Sequence, residues 1–224
     1  VGVDRLVFSS SASIYAPDAN FQVTEDSPLS PGSPYARTKA MMEQVLADAA
    51  VASDLRVLSL RYFNPIGSDP TLRTGQQIEH PTHVIGKMLD AWLEKRPFTV
   101  TGVDWPTRDG SGIRDFIHVW DLARAHVAAL DHFDEVTADS PYQVINVGTG
   151  NGVTVRELAQ AFQTGTGEPL EVIEGPSRPG DVAGVYTVST RAHDLLGWTA
   201  HLTEADGVRD AIAWLPRRKE VLGY

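Results

Sequence analysis

The sequence predicts an α/β fold: a truncated, doubly wound parallel sheet with a smaller α/β lobe. Three observations predict it. Short apolar runs of strand length alternate with stretches of helix formers along the whole chain. The first two such runs, Arg5–Phe8 and Leu55–Tyr62, flank a breaker-poor stretch from Tyr35 to Ala52. That strand–helix–strand order takes a right-handed crossover and parallel pairing. Finally, the Gly-rich first turn that a complete sheet of this kind carries is missing. The one Gly-rich run, Gly148 to Gly152, follows a strand but lacks the G-x-G-x-x-G spacing and comes late. About three βα units, at roughly 30 residues per β-α-β unit, are therefore expected ahead of Val1.

The elements follow in order. Arg5–Phe8 runs into Ser9, Ser10 and Ser11, which reads as a buried strand ending in a polar loop. Pro17 to Pro34 holds four prolines and Gly32 and is a loop. Tyr35–Ala52 is rich in good helix formers. Leu55–Tyr62 is a strand that stops at Asn64-Pro65 and Gly67. Asp69–Pro81 is polar loop, Thr82–Lys95 helix closed by Pro97, Phe98–Thr101 strand, and Gly102–Gly112 a charged loop. A strand edge is expected over Arg114–Val119, a helix over Asp121–Phe133 and a strand over Val144–Val147. Thr154 caps a helix to Phe162, Leu170–Ile173 is a strand, and Gly197 stops a short helix over Arg191–Leu196. Thr203–Trp214 is the last helix. Residues 1–68 with about 115–150 are assigned to the sheet domain. Residues 69–114 with 151–224 are assigned to the smaller lobe.

Bulk properties narrow the function. Of the 224 residues 42% are hydrophobic, enough for a proper core. A net charge of −10 argues against binding along a nucleic-acid backbone, but a few arginines suffice for a small anion. The chain has no cysteine, which excludes disulfides and thiolate metal sites and fits a reducing cytoplasm. No run is long and apolar enough to span a membrane, and the seven histidines show no metal-ligand spacing.

The strongest chemical signal is Tyr35 and Lys39. Four residues apart on a helix, they share a face, and an ammonium beside a phenol favours the phenolate. Such a phenol serves as a base on an alcohol or an acid on a ketone. Ser11, at the end of the neighbouring strand, is placed to hold the same oxygen. Taken alone, a Tyr–Lys pair is ordinary helix surface. The serine loop upstream, the Ser33-Pro34 helix start and the Arg61-Tyr-Phe-Asn-Pro65 strand end change that reading. His118 fits a structural role, capping the helix that follows. Trp92, Trp198 and Trp214 read as core or interface.

Phe8-Ser-Ser-Ser-Ala-Ser-Ile-Tyr15, Ser33-Pro-Tyr-Ala-Arg-Thr-Lys39 and Leu60-Arg-Tyr-Phe-Asn-Pro65 resemble, in this order, the extended short-chain dehydrogenase/reductase superfamily, whose sheet is of the Rossmann type. Trp105 to Val119, with Asp109-Gly-Ser-Gly-Ile-Arg-Asp-Phe-Ile-His118 inside it, is similar to the Asp-Gly-Thr-x-x-Arg-Asp-Tyr-Ile-His-Val signature of its UDP-galactose 4-epimerases. Arg178-Pro-Gly-Asp-Val-Ala183 and Leu196-Gly-Trp198 support the same family.

The resemblance implies a reaction. Tyr35 takes the proton from the 4-hydroxyl of a UDP-hexose, and hydride leaves C4 for bound NAD. The 4-keto sugar turns over, and hydride returns to its other face. Ser11 steadies the 4-oxygen, and Lys39 also holds the nicotinamide ribose. Ser9 and Tyr62 are expected near the cofactor, and Asn64 near the substrate phosphates. Arg114 and Arg178 clamp the UDP diphosphate, Asp181 accepts the uridine ribose hydroxyls, and His83 and Val84 lie beneath the uracil. Taken outside their motifs, Arg114 is an ion-pair partner of Asp115 or Asp121, and Arg178 a solvated loop residue. Val185 stands where a small side chain goes with acceptance of N-acetylated sugars. A homodimer is implied, through the helix that bears Tyr35 and a second helix not in this sequence. Two alternatives stand beside the epimerase. A sister dehydratase, decarboxylase or reductase is one, although dehydratases and decarboxylases want an acid beside the serine, where this loop has Ser9-Ser-Ser-Ala-Ser13. A non-catalytic sugar-nucleotide-binding remnant is the other.

Overall fold

The computed structural model describes residues 2–178 and 181–223. In chain order the first elements are β1 (Arg5–Ser9), β2 (Gln22–Val23), α1 (Pro34–Ala52), β3 (Arg56–Tyr62) and β4 (Asn64–Ile66). Then come α2 (Val84–Leu93), β5 (Phe98–Thr101), β6 (Ile113–Arg114), β7 (Phe116–His118), α3 (Val119–Asp131) and α4 (Phe133–Val136). The last are β8 (Tyr142–Val147), β9 (Val153–Thr154), α5 (Val155–Thr166), β10 (Val172–Gly175), β11 (Gly184–Thr187), α6 (Arg191–Leu196) and α7 (Glu204–Leu222). The chain forms two compact units. The first is Val1–Phe63, Asp121–Asn151 and Val185–Ala200; the second is Asn64–Trp120, Gly152–Gly184 and His201–Tyr224.

The first unit is built on a parallel sheet in the order β1-β3-β8. Its register runs from Arg5↔Arg56 to Ser9↔Leu60, and from Val57↔Tyr142 to Tyr62↔Val147. The central strand is fully covered, with Val57, Leu58 and Leu60 at 0% exposure. Such burial on both faces is what a parallel strand between crossovers requires. Helix α1 starts where Ser33 accepts the Ala36 N–H at 3.1 Å and Pro34 occupies the first turn. Its Leu46 and Ala50 pack on Val57. A second cluster joins Ala12, Tyr15, Val23 and Phe63, with Val185 against it. β2 pairs with β11 through Gln22↔Tyr186 and Val23↔Thr187. That pairing is why residues 185–200 fold with the first unit, where the sequence placed them in the smaller lobe.

The second unit holds three strand pairs: β4 with β7 and β5 with β10, both parallel, and β6 with β9, antiparallel. Ile85, Met88, Phe98, Phe116, Leu158, Phe162 and Val208 make its core. The strand expected over Arg114–Val119 is two strands, because β6 and β7 bond to different partners on either side of Asp115. The last helix runs on past Trp214, through Pro216, to Leu222. Side chains anchor it there: Trp214 Nε1 donates to the Gln76 carbonyl at 2.9 Å and an Arg218 nitrogen to that of Ile78 at 3.2 Å. Among the described residues no helix is long and apolar enough to cross a membrane.

Candidate active site and anion cavity

In the first unit the candidate residues gather at the carboxyl ends of β1 and β3, the edge where parallel α/β sheets place their ligands. Tyr35 lies in the first turn of α1 and is 51% exposed. One turn on, the Lys39 ammonium stands 5.7 Å from the Tyr35 ring centre and 5.1 Å from that of Phe8. It donates to the Ser9 carbonyl at 2.7 Å. Tyr62, at the end of β3, is half-buried. Its phenol is pushed up from the ordinary value by burial first, then by the charge and hydrogen bonding of Tyr35. Ser9 Oγ lies 3.1 Å from His126 Nε2, while His126 Nδ1 faces the Leu122 carbonyl at 2.9 Å. Nδ1 therefore carries the proton, and the Ser9 hydroxyl donates to Nε2. His126 gave no signal in the sequence, since a lone helical histidine has none.

Ser11 is buried, and its oxygen caps a single 3-10 turn over Ala12–Ile14. It accepts the Ser13 N–H at 3.2 Å and lies 2.9 Å from Ser13 Oγ. A hydroxyl has one proton and two lone pairs. Either hydroxyl can donate in the second contact; where Ser13 does, the Ser11 proton is available to an oxygen ligand.

The second unit contains a cavity of about 1300 Å³. Asn64, His83, Val84, Arg114, Arg178 and Asp181 all line it. His83 caps α2 by accepting the Gly86 N–H at 3.4 Å. Arg114 donates to the carbonyls of Ile113, Ala183 and Val182. Three of its five N–H groups are so engaged. Burial holds its pKa below the ordinary value, against the opposing charge of Asp181. Asp181 accepts the Arg178 backbone N–H at 2.9 Å and its Nε at 3.3 Å, which hold its carboxyl below the usual range. Pro179 and Gly180, inside the Arg178–Ala183 motif, lie outside the described residues.

His118 is structural, as expected. Its Nδ1 accepts the Trp120 N–H at 3.0 Å at the start of α3, and its Nε2 is 3.2 Å from Asp210. Gly67, with φ at +86°, lies so close that a Cβ there would meet His118 Nε2 at 2.7 Å. Trp198 and Trp214 are buried in core positions. The sequence reading missed the polar group beneath the phenol: Glu43, one turn beyond Lys39, and Arg61, next to Tyr62, are both buried.

Residues 1–148 match the family described as NAD dependent epimerase/dehydratase. A UDP-glucose 4-epimerase of Azospirillum brasilense is 40% identical over 215 residues, covering 95% of this chain and 61% of that protein. One from Bacillus subtilis is 37% identical, covering 100% of this chain and 65% of that protein. The chain thus spans about three fifths to two thirds of the length of these curated relatives. Two crystal structures are also similar. UDP-glucose-4-epimerase from Stenotrophomonas maltophila, with bound NAD and formylated UDP-arabinopyranose, superposes with a TM-score of 0.89 at 37% identity, over 98% of this chain and 65% of that one. The Bifidobacterium longum enzyme in complex with NAD+ and UDP gives 0.87 at 35% identity, over the same shares.

Proposed function

This chain belongs to the NAD dependent epimerase/dehydratase family, and from that premise we propose that the protein carrying it epimerises a UDP-hexose at C4, interconverting UDP-glucose and UDP-galactose through a 4-keto sugar. The observation that carries the reading is the half-exposed Tyr35 phenol with the Lys39 ammonium 5.7 Å from its ring, at the carboxyl ends of β1 and β3. The relatives' names and ligands support it.

The residues fit NAD at its nicotinamide end. Lys39 and Tyr35 stand open beside the Ser9–Ser11 loop, with Tyr62 next to them. Lys39, Tyr35, Ser9 and Tyr62 would hold that end. When bound, NAD supplies the acceptor and donor of hydride at the sugar C4. The chain's own groups do the rest. Tyr35 removes the C4 hydroxyl proton and later returns it. A cation at Lys39 stabilises the phenolate that accepts this proton. Ser11 donates its spare proton to the 4-oxygen.

In the cavity, the guanidinium groups of Arg114 and Arg178 take the diphosphate, since an arginine fork matches phosphate oxygens. Asp181 accepts the ribose hydroxyls, Asn64 meets the phosphates, and His83 and Val84 lie against the uracil. With Val185 in place of a larger residue, the N-acetylated UDP-hexoses are also accepted; a coupled assay in which both fail would refute this. The protein is a homodimer. Met41, Met42 and Val45 form an apolar exposed face on α1 that a second copy covers, and Val45→Asp should yield monomers in sedimentation.

The test is NAD-dependent interconversion of UDP-galactose and UDP-glucose by the full-length protein. Tyr35→Phe should abolish turnover and keep UDP affinity. Near-parental turnover by that variant would remove Tyr35 from the base role.

A further inference from the structure

Tyr35, Lys39 and Glu43 are spaced four apart on α1 and follow one face of it. The third member points inward. Glu43 is 5% exposed and is met there by Arg61, also 5% exposed. Arg61 Nε lies 2.9 and 3.2 Å from the two Glu43 oxygens, and its second terminal nitrogen is 2.5 Å from one of them. The Ser10 hydroxyl donates to the same carboxylate. The remaining arm of Arg61 donates to the Tyr15 hydroxyl at 2.8 Å and the Glu25 carbonyl at 3.3 Å. Tyr15 in turn donates to Asn146 Oδ1 at 2.7 Å, on β8. Each of the three Arg61 nitrogens and both Glu43 oxygens thus has a hydrogen-bond partner.

The attachment points are the instructive part. Ser10 sits between Ser9 and Ser11. Arg61 immediately precedes Tyr62. Glu43 is one turn from Lys39 and two from Tyr35. A carboxylate that only filled space could be an apolar residue, as its neighbours Leu46 and Ala50 are, because buried ion pairs are replaceable by packed hydrophobes. An ion pair instead fixes direction as well as distance, because its bonds are made at set angles.

We propose that Glu43 is a positioning residue for proton transfer at Tyr35: with Arg61 and Ser10 it latches the helix bearing Tyr35 and Lys39 to the loop bearing Ser11 and the strand end bearing Tyr62. The proposal rests on the reading of Tyr35 as the base. It assigns no contact between Glu43 and the substrate.

The test uses the full-length protein with NAD bound. Glu43→Gln keeps the shape and removes the charge. It should lower kcat about tenfold or more, the scale expected of a small misplacement. The KM for UDP-galactose and the Kd for UDP should stay within about twofold, because uniform binding is untouched. The pair Glu43→Leu with Arg61→Met, which restores apolar packing, should melt near the parent and still show the low kcat. Hydrogen exchange supplies a readout independent of turnover. Amides of Ser10–Ile14 and the first turns of α1 should exchange about tenfold faster in Glu43→Gln, while those of β5 and β10 keep their rates, as local opening predicts.

Parental kcat in a folded variant would overturn the latch. So would a loss of kcat that matches the unfolded fraction, with exchange rising evenly over both units. If the unsubstituted protein shows no turnover, the epimerase reading fails, and the exchange pattern alone decides the latch.

Discussion

A buried carboxylate keeps its charge only where donors outweigh the loss of water. Asp69, 4% exposed beside the cavity, shows the balance. Burial pushes its pKa up, but the Arg73 guanidinium at 2.5 Å, with the Thr71 N–H and hydroxyl each at 2.9 Å, holds it at about 2. The folded value lies below the ordinary 3.8. Its stabilisation is therefore complete above 3.8 and is lost as pH falls through about 2. Arg73 also lies over the Trp120 ring, 5.5 Å from its centre, so Trp120 reports on this loop. Acid titration of tryptophan fluorescence should show a transition in that window that Asp69→Asn lacks. An unchanged profile would refute the assignment. The phenols behave in the opposite sense. Burial pushes Tyr15 and Tyr142 up to about 12, so their stabilisation is complete below 10 and lost as pH rises through about 12. Tyrosinate absorbance should show a component that titrates through about 12 and is lost in Tyr15→Phe and Tyr142→Phe.

At the scale of elements, local chemistry decides the helices and distant partners decide the short strands. Helix α5 begins with a capping box: Thr154 accepts the Glu157 N–H at 3.2 Å, and Glu157 accepts the Thr154 N–H at 2.9 Å. It ends at Gly167, with φ at +70°. Those letters are adjacent in sequence, so the helix is legible there. Thr154 also donates to Asp109 at 2.5 Å, tying the helix to the 102–112 loop. Thr154→Ala should cost about 1 kcal/mol for the lost cap, which lowers Tm by about 2–4 °C in a chain of this size. A shift under about 1 °C would mean that water replaces the hydroxyl at that helix start. By contrast β2 has two residues and no period to read; it exists because Gln22 and Val23 meet Tyr186 and Thr187. The continuation of α7 through Pro216 was hidden for the same reason. The anchors that favour it, Trp214 on Gln76 and Arg218 on Ile78, are contacts across more than a hundred residues. Within the candidate site, Tyr35 and Lys39 were legible by their spacing together with the serine loop, the Ser33-Pro34 helix start and the Arg61–Pro65 strand end around them. Glu43 was not, because a glutamate on a helix with exposed Met41, Met42 and Val45 reads as surface.

For the whole molecule the proposed function poses the question of how a chain of net charge −10 would receive a doubly charged diphosphate. The answer lies in where the cations stand. Lys87, Arg96, Arg114, Arg178, Arg218 and Lys219 all line the cavity of the second unit. They are six of the nineteen basic residues; Asp69, Glu79, Asp90, Glu94 and Asp181 line the cavity too, so its charges come close to balance where the chain as a whole is acidic. Arg114 is the best placed of them, since its backbone-carbonyl contacts hold the guanidinium still before any ligand arrives. The proposed proton-transfer groups belong to the other unit, and the two proposed tasks should separate kinetically. Arg114→Met should weaken UDP binding and raise KM by about tenfold or more, the worth of one charge-assisted contact. It should leave kcat within about threefold, because ground state and transition state lose the same contact. Tyr35→Phe should do the reverse. Isothermal titration with UDP and steady-state kinetics on both variants decide the matter. If Arg114→Met lowers kcat and leaves the UDP affinity intact, the guanidinium acts on the reacting sugar, and the cavity has been given the wrong end of the substrate.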